Sequence, residues 1–137
     1  EGETVEAYQR FKDNLQAQFD EFLKDAVVDL RYQVQETCLK VAERISKGEI
    51  VNGNSINSLT AMIDKFTNLN FVGDKKIEDQ LSALRAKLLV IDPKELKEKD
   101  ELKNQLGIMA ASIAKEAADI SDVSTITNGY KRRLDLE

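Results

Sequence analysis

Four groups of side chains in this sequence are of types that could do chemistry: the thiol of Cys38, the carboxylates Asp20, Glu21, Asp25 and Asp29, the run Gly73-Asp74-Lys75-Lys76, and the triplet Lys131-Arg132-Arg133. A thiol becomes a nucleophile when a neighbouring base or cation lowers its pKa. The chain contains no histidine, which removes the commonest general base, proton shuttle and metal ligand together. A Ser-His-Asp or Cys-His arrangement is therefore excluded within this chain. Cys38 falls on an apolar helical stripe and reads as a small core residue.

The four carboxylates share a helix spacing that could hold Mg²⁺ or Ca²⁺, but Lys24 sits among them and no calcium-loop pattern appears. They read as a solvated helix face. Gly73-Asp74-Lys75-Lys76 lacks the second glycine and the Lys-Ser/Thr ending of a phosphate loop, so Asp74 is expected to cap a helix. The charges at Lys94, Lys97, Lys99 and Lys103 alternate with Glu95, Glu98 and Glu101, as in exposed ion pairing along a helix. Lys131, Arg132 and Arg133 form a basic cluster that could meet an acidic partner or a phosphate backbone. The alternative is a solvated, frayed tail. No catalytic residue, metal site or cofactor is expected.

Composition narrows the classes further. Charged residues make up 33% of the chain, hydrophobic residues 42%, and net charge is −5 at neutral pH. That balance argues against general nucleic-acid binding, whose affinity comes from basic residues displacing counterions, and against docking on an anionic membrane. A lone cysteine, no Asn-x-Ser/Thr acceptor and no apolar run long enough to span a bilayer fit a cytoplasmic setting. The chain starts at Glu1 without methionine and ends in Leu136-Glu137, which resembles a cloning scar. Residues 1–135 are thus expected to form a single all-helical domain excised from a longer protein.

The elements that must position these groups are helices. Residues 3–47 contain neither glycine nor proline, and apolar residues recur at Tyr8, Phe11, Leu15, Phe19, Phe22, Ala26, Leu30, Val34, Cys38, Val41 and Ile45. Their mean spacing is about 3.7 residues, close to the α-helical period. This predicts one helix of about 45 residues, from Val5 to Lys47, stopped at Gly48. Phe19 and Phe22 are expected in its core, each costing roughly 3–5 kcal/mol on truncation to alanine.

Asn52-Gly53 is also a hairpin-turn signal, with Ile50-Val51 leading into it, but the flanking runs are too short for strands, so a loop is expected. A second helix, capped by Asn54 or Ser55, carries Ile56, Leu59, Met62, Ile63 and Phe66. Phe71 and Val72 should tuck into the core beneath the following turn. A third helix, headed by Asp74, carries Ile77, Leu81, Leu84, Leu88 and Ile91. Asp92-Pro93-Lys94-Glu95 ends it and starts a fourth, with Asp92 as cap, Pro93 in the first turn and Glu95 reaching back to the Asp92 amide. The fourth is expected to run to Ile120, with Gly107, Ala110, Ala111, Ala114 and Ala118 admitting a neighbour. Ile126, Tyr130 and Leu134 suggest one further short helix, although Gly129 weakens it.

These elements predict an all-α bundle of four main helices, the second and third packed as a hairpin or end to end along the first. Five of the eight aromatics lie in the first 32 residues, and the first helix outreaches any helix that could cover it. Tyr8, Phe11 and Leu15 are therefore expected to meet a protein partner or a second copy, as in a dimer; the alternative is ordinary core, covered by the third helix or by the Ile126-Tyr130-Leu134 segment. The function expected is that of a non-enzymatic helical interaction or structural module. A small stand-alone regulator or inhibitor, and an accessory domain of an enzyme whose catalytic part lies elsewhere, are the alternatives. No small-molecule substrate is suggested.

Overall fold

The computed structural model describes residues 2–49 and 51–136, and these residues form six helices without strands. Glu1, Ile50 and Glu137, invoked above for the chain start, the approach to the turn and the chain end, lie outside the described residues. Helix α1 runs unbroken over Gly2–Ser46. It ends where Gly48 takes a positive φ of 73°. The Gly48 amide bonds to the Ile45 carbonyl at 3.1 Å and the Glu49 amide to the Arg44 carbonyl at 2.9 Å, the paired closure of a glycine-terminated helix.

Helix α2 spans Gly53–Leu69 and α3 spans Lys75–Val90. The α2 cap is Asn52, whose side chain accepts from the Asn54 amide at 3.0 Å. This corrects the expected cap at Asn54 or Ser55; Ser55 instead faces the core, and its buried hydroxyl has no hydrogen-bond partner among the described residues. Arg85 pairs with Asp64, and the Asn70 amide reaches Glu78 at 3.3 Å. The two helices are therefore an antiparallel hairpin.

Asp92 caps α4, Pro93–Glu98, by accepting from the Lys94 amide at 3.0 Å. Glu95 turns to Lys99 at 3.9 Å, away from its expected partnership with the Asp92 amide. The expected single helix from Pro93 to Ile120 is in fact two, α4 and α5 (Asp100–Ala118), separated at Lys99 in an extended conformation. The reason lies in the apolar spacing. Leu96 and Leu102 are six residues apart, and an uninterrupted helix would turn them about 120° away from each other. The break lets both reach the same core.

Helices α1, α2, α3 and α5 form a ring in which each packs on the next and α5 closes on α1. Their buried faces supply one core, including Val34, Cys38, Leu59, Phe66, Leu81 and Leu106. Helices α1 and α5 approach closely at Gly107, where an added Cβ would lie 3.1 Å from Cγ2 of Ile45. Gly107, Ala110, Ala114 and Ala117 are the small residues of α5 that turn inward. Ala111 and Ala118 are exposed, contrary to expectation.

Helix α6, Val123–Leu136, carries the same track onward along α1. Ile45 lies at Gly107, Arg31 at Asp119 and Asp20 at Lys131, an antiparallel register shared by α5 and α6. Val123, Ile126 and Tyr130 pack with Leu23, Val27, Val28 and Val72 in a second, smaller core. No described helix is long and apolar enough to cross a membrane.

Candidate interaction surface

The bundle ends at Arg31. Its guanidinium is fully buried and uses all five of its N–H donors. Nε and Nη2 bind Asp74 at 2.7 and 2.9 Å, Nη1 and Nη2 bind Asp122 at 2.6 and 3.0 Å, and Nη1 also reaches the Asp119 carbonyl at 2.7 Å. One side chain of α1 thereby fastens the α2–α3 turn and the α5–α6 turn. Asp74 is itself held from both sides. Its amide donates to Asn70 Oδ1 at 2.8 Å, and its carboxylate caps α3 through the Ile77 amide, as the sequence predicts.

Burial alone would lower the Arg31 pKa, but hydrogen bonds to Asp74 and Asp122 outweigh it and leave the pKa raised. The Arg31 hydrogen bond in turn holds Asp122 below its ordinary carboxylate range, against partial burial. Asp119 is also lowered, chiefly by hydrogen bonds from Ser121. The constellation locks geometry and presents no open position. No sequence motif marks it. Its one legible sign is that Arg31 stands four residues after Val27 and seven before Cys38, on the buried side of the stripe.

Beyond Asp20, where Lys131 of α6 bonds to it, α1 loses its cover. The buried positions are Leu23, Val27, Leu30, Val34, Cys38 and Val41. The apolar residues before them, Tyr8, Phe11, Leu15, Phe19 and Phe22, lie on a different column of the helix, rotated by roughly 100° at the standard turn per residue. Phe11 is 61% exposed and Phe22 58% exposed, and Val5, Tyr8, Leu15 and Phe19 are exposed with them. The expected core placement of Phe19 and Phe22 is corrected: what reads as one stripe is two stripes offset by one residue. Phe71, expected to be buried with Val72, is half exposed. It stacks on Phe22 at 6.1 Å and meets Tyr130 edge-on at 5.8 Å. The aromatic face of α1 therefore continues onto the body of the protein.

The structure keeps the two predicted partner-binding groups apart. Tyr8, Phe11 and Leu15 stand on the projecting helix and α6 does not cover them. The basic triplet is an ordered part of α6, not a frayed tail. Lys131 binds Asp20 at 2.7 Å; Arg133 donates to the Val72 carbonyl at 2.8 Å and lies 5.9 Å from the Tyr130 ring centroid. Only Arg132 of the three is exposed to solvent without such a contact. Two of the three predicted basic contacts thus serve the chain itself.

Cys38 lies fully buried in the core, and burial pushes its thiol up to about 12, far from a reactive thiolate. Two open grooves flank the bundle. The first, between α1 and α2, encloses about 490 Å³ beside Lys40, Arg44 and Lys65. The second, between α3 and α5, encloses about 470 Å³ beside Ile108 and Met109. Glu36, which pairs with Lys40 at 3.5 Å, also lines the first, and Glu116 lines the second. Comparison with protein-family models, with curated proteins and with solved structures finds no match to this chain.

Proposed function

We propose that this chain is a non-enzymatic helical interaction and structural module whose working surface is the first half of α1. The observation that carries this is the row from Val5 to Phe22, exposed on one face of a helix that projects past its own bundle. Contiguous exposed apolar surface of this kind marks contact sites. The Arg31 constellation supports the same reading, because it fixes the body rigidly at the root of the projecting helix. An intracellular setting belongs to the proposal and is supported by the lone, buried Cys38.

A photoreactive phenylalanine analogue at position 11 tests it in extracts of the source cell. The expected result is a discrete adduct, with self or with another protein, that disappears when Phe19→Asp is added. Unfolding of the Phe11→Asp variant, or no adduct under any condition, would show that this face is ordinary core or inert surface.

A further inference from the structure

From Tyr8 to Phe22 the apolar steps are three, four, four and three residues. Two properties follow from that series. Its mean is about 3.5 residues, the period that keeps a seam facing a second helix in a left-handed coil. By contrast, Leu23 to Val41 repeats at about 3.6, the period of the straight helix that the bundle uses. The series is also its own reverse about Leu15. A second copy turned end for end thus presents the same pattern: Leu15 meets Leu15, Phe11 comes level with Phe19, and Tyr8 with Phe22.

We infer that the occupant of this face is a second copy of the chain, bound antiparallel about a two-fold axis at Leu15. The inference rests on the reading that this face is a contact surface and names what contacts it. An isologous pair is closed, with one patch serving both sides. The charges permit it. In this register Lys12 comes level with Gln18 and Gln9 with Glu21, so like charges do not meet at those positions, and Gln9, Asn14, Gln16 and Gln18 are uncharged. A parallel pair would instead set the two bodies side by side and bring each charge of residues 1–30, which hold eight acidic and three basic residues, level with its own copy. The antiparallel pair holds them at opposite ends of a shared seam.

The area is also sufficient. Tyr8, Phe11, Phe19, Phe22 and Phe71 are 40% to 66% exposed. At the roughly 150–250 Å² that an aromatic side chain can bury, these rings with Val5 and Leu15 offer on the order of 700 Å² per copy. Stable interfaces bury about 800 Å² per partner. Phe71 adds to the seam because Tyr8 of the second copy arrives beside Phe22, on which Phe71 stacks.

Sedimentation equilibrium of the whole chain, joined to cysteine cross-linking in a Cys38→Ala background, tests this. Wild type is expected to dimerise with rising concentration, and Phe11→Asp to remain folded and monomeric. Leu15→Cys should oxidise to a covalent dimer. Tyr8→Cys should cross-link only when mixed with Phe22→Cys, and neither with itself. A wild type that stays monomeric at millimolar concentration, or a Tyr8→Cys chain that couples to itself, overturns the antiparallel second copy. A monomeric wild type with folded Phe11→Asp leaves the contact-surface reading to its photo-crosslinking test. Unfolding of Phe11→Asp removes both.

Discussion

Arg31 and Asp74 are 43 residues apart in sequence and share two charged hydrogen bonds, at 2.7 and 2.9 Å, with both side chains buried. Removing one partner of such a pair strands the other charge, which typically costs roughly 3–5 kcal/mol. Arg31→Met is expected to lose that much in urea unfolding. Arg31→Lys should recover only part of it, because an ammonium cannot match the five-donor fork. An unchanged midpoint in Arg31→Met would mean that the constellation contributes nothing to stability, and one in Arg31→Lys that the five-donor fork is not needed.

The same cluster sets an acid response. Asp122 is held low by Arg31, so the stability it contributes is present above its unfolded pKa of roughly 3.9 and disappears as pH falls through the lower folded value. Stability should therefore be level from neutral pH to about pH 5 and decline below about pH 4. Asp122→Asn should be less stable than wild type at pH 7 and approach it at the acid end. Denaturant midpoints measured across that range check the convergence; a constant gap would contradict it.

Phe22→Ala should cost at most about 1.5 kcal/mol, the scale of one aromatic pair, far below that of a buried ring. Leu23→Ala, one residue on and fully buried, should cost roughly 2–5 kcal/mol. Thermal melts at a concentration where the chain is monomeric compare the two directly. Equal costs would contradict the two offset columns of α1.

Gly107 and Gly48 separate two reasons for glycine. Gly107→Leu forces a side chain into Ile45 and should destabilise by roughly 1–3 kcal/mol through overpacking. Gly48 has open space around it but a φ of 73°. Gly48→Ala should thus cost about 1–2 kcal/mol through backbone conformation alone. Chemical denaturation of both variants reads these values, and a neutral Gly48→Ala would show that the α1 terminus refolds into another closure.

Much of the fold is legible because its signals are local. Gly48, Asp74 and the Asp92-Pro93 pair mark helix ends through backbone preferences that operate within a few residues. The break at Lys99 is not marked by glycine or proline; it follows from where the core requires Leu96 and Leu102. Phe22 and Leu23 cannot be ranked from spacing, because both continue an apolar series and only the position of α6 and Val72 decides which is covered. The aromatic face is readable as a list of residues. Arg31 is not readable as a fastener, because its partners come from turns distant in sequence.

The partnership of Arg31 with Asp122 crosses 91 residues, and it has a consequence for the chain as it is made. At roughly 5–20 residues per second, Asp122 leaves the ribosome about 5–18 s after Arg31. Throughout that interval α1 lacks α6, and until its last few residues it lacks a complete α5, so its apolar columns face solvent or each other on neighbouring nascent chains. Slowing translation after residue 46 lengthens the exposure, and a chaperone that holds long amphipathic helices shortens its effect. Soluble yield should therefore depend on elongation speed in the second half of the message more than in the first.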